Sequence, residues 1–113
     1  MIVHSEGQER ILRENMKGGD GTVRQTVLTD ALPAKARLFA TLTLAPGTSI
    51  GYHVHENETE LFYFAAGHGE AQDDDRVVEV KAGDCMVTSN GHGHGVRNTG
   101  SEDLVLVACI IKD

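Results

Sequence analysis

Tryptophan is absent from this chain, proline occurs twice, and the aromatic side chains are limited to Phe39, Tyr52, Phe62, Tyr63 and Phe64. Cysteine is nearly absent too. Cys85 and Cys109 both sit among apolar and β-branched neighbours, which predicts two buried, reduced thiols, while their spacing alone leaves a disulfide between them open. Positive charge is scarce: 10 Lys and Arg stand against 17 Asp and Glu, for a net charge of −7. A basic nucleic-acid-binding surface, which must displace phosphate counterions, is thereby excluded. The longest apolar run, Leu104 to Ile111, has eight residues, far short of the ~20 that a membrane-spanning helix needs. The first ten residues lack the basic start and apolar stretch of a secretory leader, so the expected location is the cytoplasm. With 113 residues, 40% apolar and 24% charged, the chain is too apolar for disorder and has the length of one domain, residues 1–113. So short a chain buries a limited fraction of its surface, which predicts help from a dimer interface or a bound metal.

What is present reads as strands and turns. Residues 6–17 carry a weak helical pattern (Ile11, Leu12, Met16), the one short helix or arm expected, before the loop Gly18–Gly21. Thr22 to Leu28 is rich in β-formers. Arg37 to Ala45 alternates, with Leu38, Ala40, Leu42 and Leu44 on one face and Phe39, Thr41 and Thr43 on the other. Ile50–His55, Glu60–Ala66, Gly69–Val80 folded about Asp73–Asp75, Cys85–Thr88 and Leu104–Ile111 are further strand candidates, and Ser89–Gly95 is a glycine-rich loop. Many short strands at close spacing predict an all-β sandwich or barrel.

The chemistry lies in the histidines. His53 and His55 are two apart in a strand-like segment, so both imidazoles leave the same face, with Cα atoms roughly 6.5 Å apart. The polar stretch Glu56–Thr59 predicts a hairpin that returns Glu60 beside them on the neighbouring strand. There a buried carboxylate next to Phe62 and Phe64 is costly unless it meets a cation. His94 supplies a fourth donor if the barrel closes on itself. Three imidazoles and one carboxylate without thiolate exclude a structural zinc cage and suit one divalent transition ion: Mn, Fe, Ni, Co, Cu or Zn. The net positive charge at such an ion suits a small anionic or oxygen-rich ligand. Phe62, Phe64 and Val96 share parity with the donors and are expected to line the pocket.

Gly47, His53, His55, Glu60 and Gly67 match every fixed position of G-x5-H-x-H-x4-E-x6-G. Gly83, Gly91, His94 and Asn98 match G-x5-P-x-G-x2-H-x3-N, except that Ser89 stands in the proline position. In these two motifs, over 47–67 and 83–98, the chain resembles the cupin superfamily, and its short inter-motif gap resembles small single-domain cupins of the oxalate decarboxylase-like kind. The resemblance implies a double-stranded β-helix (jelly-roll) barrel, a homodimer, and metal ligation by His53, His55, Glu60 and His94. His92, two residues before His94, is the alternative ligand or a supporting group.

Other signals carry less. Asn57-Glu58-Thr59 is a glycosylation sequon without a secretion signal. Asp73–Asp75 lacks calcium-loop spacing and reads as a solvated hairpin tip. His55-Glu56 has Thr59 where a zinc-protease helix needs its second histidine, and Gly91–Gly95 lacks the residues of a phosphate loop. Arg24, Arg37, Arg76 and Arg97 are available to an anion, with Arg97 on the face away from the donors. No nucleophile is recognisable; Glu58 is the candidate acid or base, and Tyr52 falls off the donor face. The expected function is a metal-dependent enzyme acting on a small carboxylate or oxygen-rich metabolite, with decarboxylase-, dioxygenase- or isomerase-like chemistry. The alternative is a non-catalytic metal and small-ligand binding or sensing module. No nucleic acid and no membrane are expected as partners.

Overall fold

The structure, a computed structural model, describes residues 1–113. Ten strands follow in order: β1 (Glu9–Glu14), β2 (Thr22–Val27), β3 (Ala36–Leu44), β4 (Ser49–Val54), β5 (Glu58–Ala66), β6 (His68–Asp73), β7 (Arg76–Lys81), β8 (Cys85–Thr88), β9 (Gly93–Arg97) and β10 (Leu104–Lys112). They form a six-stranded sheet, β1-β2-β3-β10-β5-β8, and a four-stranded sheet, β4-β9-β6-β7. Every strand pair is antiparallel. Alternation writes the core directly. Ala40, Leu42 and Leu44 of β3 and Leu104, Leu106 and Ala108 of β10 are fully buried or nearly so, and they pack with Phe62 and Phe64 between the sheets. The intervening residues of the same strands face outward, as period two demands.

Four expectations need correction. The weak helical pattern over 6–17 is strand β1, which pairs with β2 from Glu9↔Val27 to Glu14↔Thr22. Only single 3-10 turns at Ser5–Gly7 and Met16–Gly18 flank it, because the sheet's free edge offers hydrogen bonds that an isolated short helix cannot match. The glycine-rich loop is shorter than expected, since β9 begins at Gly93. The two cysteines are free but not buried: Cys85 is exposed and Cys109 half-buried, because both fall on the outward parity of β8 and β10. Finally, β4 and β5 are not a hairpin. β4 pairs with β9, whereas β5 pairs with β10 and β8, so the polar stretch 55–57 carries the chain from one sheet to the other.

The arm after β1 is fixed by close backbone contact. A Cβ on Gly51 would collide with the Lys17 carbonyl, and one on Gly19 with the Ser49 carbonyl. Glycine at both places therefore lets the Met16–Gly18 turn lie flat on β4. Ser49 completes the seam: its N–H donates to the Asp20 carbonyl at 2.9 Å, and its Oγ accepts from the Asp20 N–H at 2.8 Å.

Candidate metal centre

The site lies between the two sheets. His53 of β4 and His94 of β9 are direct cross-strand partners in the four-stranded sheet. His55 follows just past the end of β4, held by its backbone: its N–H donates to the His92 carbonyl and its own carbonyl accepts from Gly91 N–H. Glu60 faces them from β5 in the six-stranded sheet, with Thr88 of β8 as its cross-strand neighbour. The odd spacing from His55 to Glu60 thus works because the chain changes sheet, not because it doubles back beside itself.

Donor atoms of His53, His55, Glu60 and His94 all lie within 4.8 Å of one another. Glu60 Oε1 is 2.9 Å from His55 Nε2 and 3.0 Å from His94 Nε2, and those two nitrogens are 3.1 Å apart. The opposite nitrogen of each ring is already engaged. Nδ1 of His53 lies 2.7 Å from the Gly51 carbonyl, Nδ1 of His55 lies 2.6 Å from Glu58 Oε2, and Nδ1 of His94 lies 2.7 Å from Thr88 Oγ1. A carbonyl and a carboxylate only accept, so the proton of His53 and of His55 sits on Nδ1, and Thr88 can hold His94 in the same tautomer. Each Nε2 then presents a lone pair to the shared centre, alongside a carboxylate that is 4% exposed. Electron pairs gathered in a buried space repel unless a cation stands among them. These four residues therefore could hold a metal ion, with mixed nitrogen and oxygen donors suited to a divalent transition metal.

Burial, chiefly, holds His53 below the usual imidazole pKa, and the neighbouring histidines add to this against the Gly51 carbonyl; neutral imidazole is the ligating form. Glu58 is drawn down to about 2, first by its hydrogen bond from Arg37. Arg37 grips it with two bonds, Nε to Oε1 at 2.6 Å and Nη2 to Oε2 at 2.7 Å, and is itself raised by that contact. Phe62 stacks on the His94 ring at 4.7 Å with planes 12° apart.

A cavity of about 530 Å³ opens over His53, His55 and Glu60. Phe62, Phe64 and Val96 do not line it; they are buried beneath the donors, and the wall comes instead from β1, the Met16–Gly18 turn, Gln25, Arg37 and Leu38. His92 stands outside the cluster, exposed, with Nδ1 2.6 Å from Asp74 Oδ2. That contact raises the His92 pKa and ties the β6–β7 tip to β9, where Asp74 Oδ1 accepts from Gly93 N–H. Arg97 turns outward to Asp20. The turn before His94 closes without proline through His92 N–H donating to the Ser89 carbonyl. Thr88, Arg13, Gln25 and the gripping role of Glu58 escaped the sequence reading. Their signal is register across strands, which no local spacing reveals.

Two facing antiparallel sheets with three imidazoles and a carboxylate gathered between them define a small β-barrel protein with a group of side chains that could hold a metal ion. The chain belongs to the cupins: the cupin domain family model matches residues 40–110, and the jelly-roll expectation is borne out. It is 45% identical over 115 residues to the oxalate-binding protein of Thermotoga maritima, covering 98% of this chain and 93% of that protein. The crystal structure of a predicted oxalate decarboxylase from Thermotoga maritima superposes with a TM-score of 0.95 at 41% identity, over 100% of both chains. An RmlC-like cupin from Shewanella frigidimarina superposes with a TM-score of 0.76 at 13% identity, over 99% of this chain and 90% of the other, a likeness of fold alone. No helix is long and apolar enough to cross a membrane.

Proposed function

We propose that this protein binds one divalent transition-metal ion through His53, His55, Glu60 and His94 and takes a small carboxylate ligand at that ion. The single observation carrying the reading is that all three Nδ1 atoms are engaged outside the cluster, so three Nε2 atoms and Glu60 Oε1 converge. When bound, such an ion supplies Lewis acidity to a carboxylate or enediol. The chain's own residues orient the three imidazoles through their Nδ1 atoms and hold the cluster against the buried core. Oxalate is the first ligand to try, because the relative from Thermotoga maritima is an oxalate-binding protein.

Enzymatic use of the site, as a decarboxylase, dioxygenase or isomerase, is one outcome; a binding or sensing module is the other. One observation favours the second. Glu58, the nearest candidate for proton transfer, is already clamped by Arg37 and His55 and held ionised. The test is elemental analysis of wild type and His53→Ala, followed by incubation of metal-loaded wild type with oxalate, with and without oxygen. Wild type with bound metal, and His53→Ala with little, supports the site. Carbon dioxide or formate release marks an enzyme, and binding without turnover a module. Wild type that takes up no divalent ion at neutral pH overturns the site.

A homodimer and a cytoplasmic location belong to the same proposal. Across the outer face of the six-stranded sheet, Phe39, Cys109, Leu61 and Val87 form one continuous cross-strand row, and Phe39, Leu61 and Val87 are exposed. A second copy would cover such a row; sedimentation at micromolar concentration reads it out. The exposed, unpaired Cys85 suits a reducing compartment, which cell fractionation tests.

A further inference from the structure

We propose that Arg13 and Gln25 anchor the second carboxylate of a small dicarboxylate whose first carboxylate meets the metal, an inference that rests on the metal-binding reading above. Both residues line the cavity that holds His53, His55 and Glu60. Gln25 is 95% buried, with 5% exposure, on the inward parity of β2. Its Oε1 accepts from Arg13 Nε at 2.9 Å. Guanidinium nitrogen only donates, so this bond fixes the amide: Oε1 accepts from Arg13, and Nε2 is left as a free donor. Nε2 makes no hydrogen bond to the protein, and no fully enclosed side-chain nitrogen or oxygen lacks a partner. The Nε2 donor is therefore solvent-accessible; Gln25 and Arg13 border both this cavity and a neighbouring one walled by Val27, Leu32 and Phe39, and the first is the one that holds His53, His55 and Glu60.

Arg13 has the same unspent character. Arg24, Arg37, Arg76 and Arg97 each have a carboxylate partner. Arg13 has none, and its only side-chain bond uses Nε. Its two terminal nitrogens, with Gln25 Nε2, make a cluster of donors held in mutual register by one hydrogen bond. A cluster of donors without an acceptor fits a carboxylate, which offers two oxygens in one plane. Arg37 cannot serve, because Glu58 occupies its fork.

Charge favours a dianion. Among the cavity walls Arg13 and Lys17 balance Glu14 and Glu60, and Arg37 is matched by Glu58. The charge of the divalent ion is left for the ligand, and two carboxylates neutralise it where one does not. The site should thus distinguish short diacids from monoacids.

The experiment uses full-length protein loaded with manganese, with metal content measured for each variant, and calorimetric titration of oxalate, malonate and acetate. Wild type is expected to bind a diacid at least tenfold more tightly than acetate. Arg13→Gln, on the exposed edge strand, and Gln25→Met, which adds no charge, should keep their manganese and lose far less affinity for acetate than for the diacid. Both should lose about 10- to 100-fold in diacid affinity. Unchanged diacid affinity in both variants overturns the proposal and leaves the metal reading standing. So does equal binding of diacid and acetate by wild type, or a parallel loss of both ligands in the variants. Loss of manganese from the variants overturns it too, since the pair would then serve the metal rather than the ligand. Failure of wild type to take up manganese overturns both readings.

Discussion

Replacing Glu58 by glutamine tests how the site is held without touching a donor to the metal. The wild-type carboxylate satisfies three N–H groups, two from Arg37 and one from His55 Nδ1. The glutamine amide has one acceptor oxygen and two N–H groups, so the three bonds cannot all survive. An oxygen in the Oε2 place keeps Arg37 Nη2 and His55 Nδ1 but sets an N–H against Arg37 Nε, and His55 then leans on a neutral amide in place of an anion. An oxygen in the Oε1 place sets an N–H against His55 Nδ1, the imidazole proton moves to Nε2, and that nitrogen no longer presents a lone pair. Loss of such a supporting partner costs about 10- to 100-fold in metal affinity, or about 1.4–2.7 kcal/mol. At about 2.1 cal/mol/K per residue, 113 residues give an unfolding entropy of about 0.24 kcal/mol/K. At a fixed free-metal concentration well above both dissociation constants, the metal-linked rise in Tm should therefore shrink by about 6–11 °C. Scanning calorimetry of wild type and Glu58→Gln, each with chelator and with metal, isolates this term, because each protein serves as its own baseline. Chelator competition supplies the affinities independently. An identical metal-linked rise and identical affinities in the two proteins would refute the reasoning.

Three further outcomes follow from the same geometry. Thr88→Val should destabilise the metal-free protein by about 1–3 kcal/mol, because His94 Nδ1 loses its partner where Thr88 is 1% exposed; urea unfolding reads this out. Phe62→Ala removes a ring that is 2% exposed and stacked on His94, so it should cost about 3–5 kcal/mol by the same measurement and broaden the His94 ring resonances. Because Glu58 sits at about 2 in the fold against an ordinary 4.5, its stabilisation is fully present above pH 4.5 and is lost as pH falls toward 2. Arg37→Ala removes the main cause, so thermal scans between those pH values should show a flatter decline for the metal-free variant than for wild type.

The alternation in β3 and the close spacing of many short strands made the all-β fold legible, since a half-buried strand prints its inward face every second residue. The convergence of His53, His55, Glu60 and His94 was legible because His53 and His55 share a face and the glycine, histidine and glutamate spacing has few other uses. What stayed hidden was everything set by pairing between distant strands. Thr88 carries no mark of its role until β8 is laid against β5, opposite Glu60. Gln25 reads as an ordinary strand residue until β1 is laid beside β2 and Arg13 bonds to it from the neighbouring strand. The segment around Ile11 and Leu12 misled because apolar residues on a barrel's outermost strand obey neither period cleanly; Leu12 is 70% exposed. The Glu56–Thr59 stretch has the composition of a tight turn, and a crossover between sheets uses the same polar residues.

The two glycines set back to back give this molecule a division of labour. The strap that forms one side of the ligand chamber is clasped to the strand bearing His53, yet it contributes nothing to the donor set. Its length and side chains can therefore be exchanged, by evolution or by an engineer, to admit cargo of another size or polarity. The clasp itself tolerates no such freedom, for even one added methyl group at Gly51 would pry the strap from its seat and reshape the entrance.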